Sequence, residues 1–435
     1  MVQRLFKLKY LLLIPVFIFN DLSAGINLDE LWQRTVKNNY SIMQQNKLLE
    51  RAEKEVDIQH TAYLPKVSAS AYGAWMFFQN PPAFFQGTKK DVSVNVLSLG
   101  INQPIFTGFR TKNTIEYAEH NFTAQALQKD ITKKMLYLET GSLFYDIQSN
   151  LVQKQVLTES IHRINSQLTK IKNLLEAQQA TSFDTLELAN KKLQIMTQLS
   201  ALDGQTEILI SKLKYMVNDQ SLPDINKPES ILIELNLDDI SAYYQLAKNN
   251  RPELHQLSAR KQGQNAFTQA LKSAYYPMIN ASGAYNRARL DGFIFDGSWI
   301  DLYSVFVTLQ LELWAWNRDK SKVQQARLEA ERLDIASQEL VNNIEQQVKT
   351  SYQMLEITRK QIYLQDQLVQ QEQERFRQTR ERHEQGLTTT LDLNSAENDL
   401  TTAQLELEKT KILWHKNKLQ LDFATGIIGK NLEEN

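Results

Sequence analysis

From Tyr303 the chain alternates. One set of positions reads Tyr303, Val305, Val307, Leu309, Leu311 and Leu313. The set between reads Ser304, Phe306, Thr308, Gln310 and Glu312. A period of two predicts a β-strand with one apolar and one mostly polar face. Ile279, Ala281, Gly283 and Tyr285 alternate with Met278, Asn280, Ser282 and Asn286 in the same way, and "DVSVNV" at 91–96 is read alike. "LPKVSASAYGAW" at 64–75 shares a proline, an Ala-Ser and an aromatic with "YPMINASGAYNR" at 276–287. Four strands are therefore predicted, at about 64–78, 91–104, 277–290 and 300–314. Their lengths suit a tilted transmembrane strand, which needs about 9–11 residues.

Elsewhere the period is helical. Val323, Ala326, Ala330, Leu333, Ser337, Leu340 and Ile344 step by three and four in turn, with charged and amide residues between. That is a coiled-coil seam, unusually small and polar. No proline lies in 105–222 or 278–435, so nothing there forces a helix to break. A helix from Arg318 to Gln385 would be about 100 Å long. Gly386 can end it in a left-handed turn, and Thr388–Thr390 offers a cap for a returning helix. Helical hairpins are predicted at about 110–220, turning near "EAQQATSFD", and at about 318–425.

The chain says this twice. Phe106, Arg110, Lys112, Ala118, Thr181 and Asp184 recur 208 residues on as Trp314, Arg318, Lys320, Ala326, Thr389 and Asp392, and "VKNNYSIM" returns as "AKNNRPEL". The simplest organisation is a first repeat over 25–236 and a second over 237–435. Before them, Arg4, Lys7 and Lys9 precede an apolar run, Leu11 to Phe19, and Ala24. That pattern predicts a signal peptide over 1–24.

Charge and chemistry narrow the picture. Formal net charge is −1, which offers no attraction to nucleic acid. There is no cysteine, hence no thiol catalysis. His60, His120, His162, His255, His383 and His415 are scattered, no pair stands at i, i+4, and no phosphate loop is present. Neither an enzyme nor a cofactor or metal site is expected. Aromatics gather near the loops (Trp75, Phe77, Phe78, Phe84, Phe85, Phe293, Phe295, Trp299) and near the helix junctions (Tyr63, Phe106, Phe109, Tyr275, Tyr276, Trp314, Trp316). Two such belts around apolar-out strands read as an outer-membrane barrel in contact with lipid. Four strands cannot close one, and an open edge is not tolerated in hydrocarbon. Two chains would supply eight strands, and three would supply twelve.

In this order the pieces resemble the TolC-like outer-membrane efflux and secretion channels. They are the two Asn-Asn helices, "AYLPKVSASA", "AYYPMINASG", "QPIFTGFR", "RHEQGLTTTLDLNSAENDLTTAQ" and "QLDFATG". The resemblance implies a mainly α fold with a small membrane β-barrel contribution: a homotrimer with a twelve-stranded barrel in the outer membrane of a Gram-negative bacterium, continued by an α-helical coiled-coil tunnel in the periplasm. It implies a passive exit duct for small molecules or proteins, served by a periplasmic adaptor (membrane fusion) protein and an inner-membrane pump or ABC transporter. The alternative is a secreted or periplasmic coiled-coil structural or adaptor protein. By the same resemblance Asp392 and Ser395 fall at the periplasmic gate, and Gln178, Gln179, Arg382, Gly386 and Leu387 at the hairpin tips that meet the adaptor. Gln178 and Gln179 depart from the family's usual Gly-Leu, and Ser395 stands where a second acidic residue is usual. Asp184 and Asp392 also suit the start of a helix, where an acidic side chain complements the dipole.

Overall fold

The computed structural model describes residues 25–77, 79, 91–225, 237–292 and 295–430. The expected leader and Phe78, Phe84, Phe85 and Phe293 of the aromatic set lie outside them. Each half runs short helix, helix, strand, strand, long helix, return helix. The first half has α1 (Leu28–Asn38), α2 (Tyr40–His60), β1 (Lys66–Phe77), β2 (Asp91–Phe106), α3 (Arg110–Glu176) and α4 (Ser182–Val217). The second has α5 (Ile240–Asn250), α6 (Pro252–Leu271), β3 (Met278–Gly292), β4 (Phe295–Gln310), α7 (Arg318–Glu384) and α8 (Thr390–Ala424). The strands form one antiparallel sheet in the order β1-β2-β3-β4.

Helices α3 and α7 have 67 residues each, roughly 100 Å. The return helices α4 and α8 are about half as long, with 36 and 35 residues. The shorter helices α2 and α6 fill the remaining length. At the first join Asn39 Nδ2 donates to Met216 O at 2.6 Å, and Asn218 Nδ2 donates to Asn38 O at 3.1 Å. At the second, the Arg251 guanidinium donates to Phe423 O at 3.3 Å and Ala424 O at 3.2 Å. These bonds satisfy carbonyls that a helix end leaves without intrahelical partners. The repeated Asn-Asn pairs of the sequence therefore mark two end-to-end helix joins.

The small seam read on α7 is where the packing lies. Val323, Ala326, Leu333 and Ile344 are buried, and Ala330, Ser337 and Leu340 are half-buried. At the level of the joins the cores widen. Ile26, Leu31, Phe144, Ile147, Leu213 and Val217 form one cluster, and Tyr243, Val348, Leu355, Trp414 and Leu421 form another.

The backbone repeats as closely as the elements do. Left-handed residues Gly108, Phe109, Gln178 and Asn218 recur 208 positions on as Trp316, Asn317, Gly386 and Gly426. At both hairpin turns the same pair of bonds ends the long helix. Gln179 N donates to Leu174 O and Gln178 N to Leu175 O; Leu387 N donates to Arg382 O and Gly386 N to His383 O. Gln178 holds φ 61° where the second turn has glycine at φ 72°. A side chain in that region costs about 1–2 kcal/mol. Gln178→Gly is therefore expected to stabilise the first turn by about 1 kcal/mol, and Gly386→Ala to weaken the second by about as much. Hydrogen-exchange protection of the amides flanking each turn checks both, and opposite signs are expected.

Candidate functional site: strand wall and hairpin tips

The register sorts the strand residues onto two faces. Val67 pairs with Ile101, Ile101 with Gly283, and Gly283 with Val305. Leu99, Tyr285 and Tyr303 form the next row, and Ala281 pairs with Val307. This face carries no charge over these rows, and Val305, Val307 and Leu309 are 84%, 73% and 65% exposed. So much uncovered aliphatic surface marks a face for another apolar phase. Aromatics bound it. Tyr285 and Tyr303 meet at 5.0 Å with tilted rings on one side; Phe106, Phe109 and Tyr276 chain at 5.3 and 5.6 Å, with Trp314 and Trp316, on the other. The opposite face reads Ser68, Ser70, Ser98, Gly100, Asn102, Ser282, Asn286, Ser304 and Thr308. One expectation is corrected. Val92, Val94 and Val96 do not continue the lipid-type face, because Val94 pairs with Leu290 and Val96 with Ala288, on the side of Ser98 and Asn286. Alternation gives the period of a strand; only the register says which face is which.

At the tips, Gln178, Gln179, Arg382, Gly386 and Leu387 are all exposed. Asp392 is the third residue of α8 and closes a capping box with Thr389. Its Oδ2 accepts from Thr389 Oγ1 at 2.7 Å, Thr388 Oγ1 at 2.8 Å and Thr389 N at 3.1 Å. Those bonds, with Arg382 nearby, hold its carboxyl down at about 2. Asp184 closes the same box with Thr181 in the first hairpin, and Thr181 likewise lowers its pKa. Ser395 is exposed on α8, one turn further along. A cleft of ≈ 480 Å³ lies between α3 and the second hairpin, lined by Gln167, Ile171, Phe376, Arg380 and His383 among others. The Gln167 amide is buried there without a hydrogen-bond partner.

Sequence reasoning missed the tie between the hairpins. The Glu397 side chain is only 2% exposed and Arg163 22%. Arg163 Nε donates to Glu397 Oε1 at 2.8 Å, Ser160 Oγ to the same oxygen at 2.9 Å, and Arg163 Nη2 to Thr401 Oγ1 at 2.9 Å. Closer to the tip Lys170 pairs with Glu384, which lowers the Glu384 pKa. Charges on exposed coiled-coil faces are usually solvated, and nothing local distinguishes Glu397 from them. Removing one partner of a buried pair strands the other. Arg163→Met is expected to destabilise the α3–α8 contact by about 3–5 kcal/mol. Glu397→Gln, which leaves the more exposed guanidinium, is expected to cost less. Thermal unfolding followed by helical circular dichroism gives the order, and an equal effect of the two would contradict it.

An uncovered apolar strand face between aromatic belts, a small polar face behind it, and helices of about 100 Å below define a class: an outer-membrane channel with a helical periplasmic body. Among the described residues no helix is long and apolar enough to cross a membrane. The chain belongs to the outer membrane efflux protein family, whose profile matches residues 31–215 and 243–427. It is 21% identical over 381 residues to the outer membrane efflux protein BepC of Brucella suis biovar 1 (strain 1330), covering 86% of this chain and 79% of that one. The fold is shared with solved channels. CusC superposes with a TM-score of 0.80 over 93% of this chain and 92% of its own, at 13% identity. The CmeC outer membrane channel of Campylobacter jejuni gives 0.77 over 95% and 89%, at 16% identity. The protein is thus an efflux channel of the outer membrane that extends into the periplasm.

Proposed function

We propose that three copies of this chain close one twelve-stranded barrel. The assembly is the passive exit duct of a tripartite pump, joined by a periplasmic adaptor to the inner-membrane pump that drives it. One observation carries the sharing of a barrel between copies: among the described residues β1 and β4 end the sheet with unpaired edges on an exposed apolar face. Neighbouring copies would pair those edges, as hydrocarbon requires. Two copies would give eight strands, whose interior side chains fill, so three are the fewest that leave a lumen. Mass measurement of the detergent-solubilised protein is expected to give a trimer, and a stable monomer would refute this reading. The face assignment is checked in the same preparation. Val307→Arg is expected to cost about 2–4 kcal/mol near the bilayer midplane, while Thr308→Arg is mild.

The adaptor would dock at the tips, where the cleft beside Gln167 offers apolar walls and an unsatisfied amide. Three Asp392 carboxylates around the axis would form an acidic ring at the mouth, with Ser395 adding no second one. Rings of Asp select cations. The folded pKa of about 2 lies below the ordinary carboxylate value, so the charge is present above the unfolded value and is lost only as pH falls toward 2. Crowding three carboxylates raises each of them above the single-chain value, so cation selectivity in planar bilayers is expected to be full at neutral pH and to fall as pH drops through the acidic range. Asp392→Asn, which keeps an acceptor for the cap, is expected to lower that selectivity. If it does not, Asp392 is a helix cap and nothing more.

A further inference from the structure

The register that presents Val305 to lipid turns the sheet inside out at its far end. In the row beyond Tyr285 and Tyr303, Arg287 pairs with Asp301; in the next, Arg289 pairs with Trp299 and Asn95. All of these share the lipid-type face. The Arg287 guanidinium lies 3.8 Å from Asp301 and 5.5 Å from the centre of the Trp299 ring. Charged side chains of this kind do not sit in hydrocarbon. The wall therefore leaves the lipid between these rows, and beyond that line its outer face is polar.

Over the same stretch the inner face is apolar. Val94 and Val96 of β2, Leu290 of β3, and Ile300 and Leu302 of β4 all point to the side that further down carries Ser282, Ser304 and Thr308, while Val92 shares that side but is buried. Lipid does not explain them, because they face away from it. Nor do they continue the polar lining below. Alongside β4 from Ile300 to Gln310, the one charged side chain on the inner positions of the described strands is Lys66, at the helix end. The wall offers solutes no charge filter: hydroxyls and amides with the single ring of Phe306, followed by a largely aliphatic surface that Tyr72 joins.

We propose that these five exposed or half-buried side chains, repeated by each copy, form an apolar collar at the outer end of the lumen. It is a contact site for amphiphilic organic solutes carrying an apolar ring or chain. This rests on the three-copy duct proposed above. A neutral aliphatic surface binds such solutes by burying their apolar area and gives nothing to small hydrated ions.

Two organic cations of equal charge test it. Tetraphenylphosphonium and tetraethylammonium are added to the extracellular side of channels in planar bilayers. Tetraphenylphosphonium is expected to block at a concentration about tenfold lower, the factor that burial of about two methylenes corresponds to. Val94→Ser with Leu290→Ser is expected to bring the two to near parity, with tetraethylammonium block and open conductance unchanged. Thr308→Ala, in the polar rows further down, is expected to leave the difference intact. If the double variant does not insert, Ile300→Ser alone is expected to remove part of it. Equal potency in the native channel, or a preference that survives the substitutions in normally conducting pores, overturns the collar alone. A protein that forms no pores would take down the duct as well.

Discussion

Every peptide group that enters hydrocarbon must find its hydrogen-bond partner within protein. β2 and β3 meet that condition inside one chain; among the described residues β1 and β4 each leave one edge without a partner. The rest of the architecture answers to that deficit. The chain spends most of its length on long helices and supplies only a four-stranded piece of sheet. The helices need only a thin seam, because packing is shared along a column rather than concentrated in a globular core. Small buried residues such as Ala326, Ala396 and Ala403 let neighbouring helices approach closely.

Duplication lets one solution serve twice. The strand-to-helix junctions, hairpin turns and helix joins each need backbone conformations that ordinary residues avoid. Both halves use them at a constant spacing, although the residue types differ: Gln178 against Gly386, Asn218 against Gly426. At Gly426 glycine has a second reason, since a Cβ there would stand 2.6 Å from the Asn250 carbonyl oxygen. Asn218 uses its side chain instead to bridge the corresponding join. The backbone path is thus the constrained quantity, and the side chain is fitted to it in either of two ways.

Much of this was legible in the sequence, because strands and seams are local patterns. The parity of Val305 to Leu309 and the three-four stepping from Val323 to Ile344 read directly. The Asn-Asn pairs were visible as a repeat but not as joins, since Asn39 meets Met216 across 177 positions. The Arg163–Glu397 tie spans 234 positions, and its two residues look like any others on charged helices. The valines at 92–96 were misplaced for a related reason. Their alternation is real, but the face they occupy is decided by the strand they pair with. Sequence periodicity reports what a segment does by itself. Register, joins and ties belong to segments that meet only after folding.

The two kinds of contact near the tips have different mechanical consequences. Within each hairpin the buried packing is apolar, with ion pairs only at its surface: Leu157, Ile164 and Ile171 against Leu188 and Ile195, and Phe376 against Leu393, Ala396 and Leu400. Between hairpins it is largely polar, through Arg163 with Glu397, Lys170 with Glu384 and Lys191 with Asn398. Aliphatic packing weakens gradually with area. Directional hydrogen bonds between charged groups are either made or lost, and once lost they are replaced by water where water has access. Lys170 and Glu384 already have that access, while Glu397 does not. Parting the hairpins would therefore leave each aliphatic seam intact and concentrate the cost at one buried carboxylate. The stiffness of the tip is thus set within each hairpin, and the contact between the hairpins rests chiefly on one buried carboxylate.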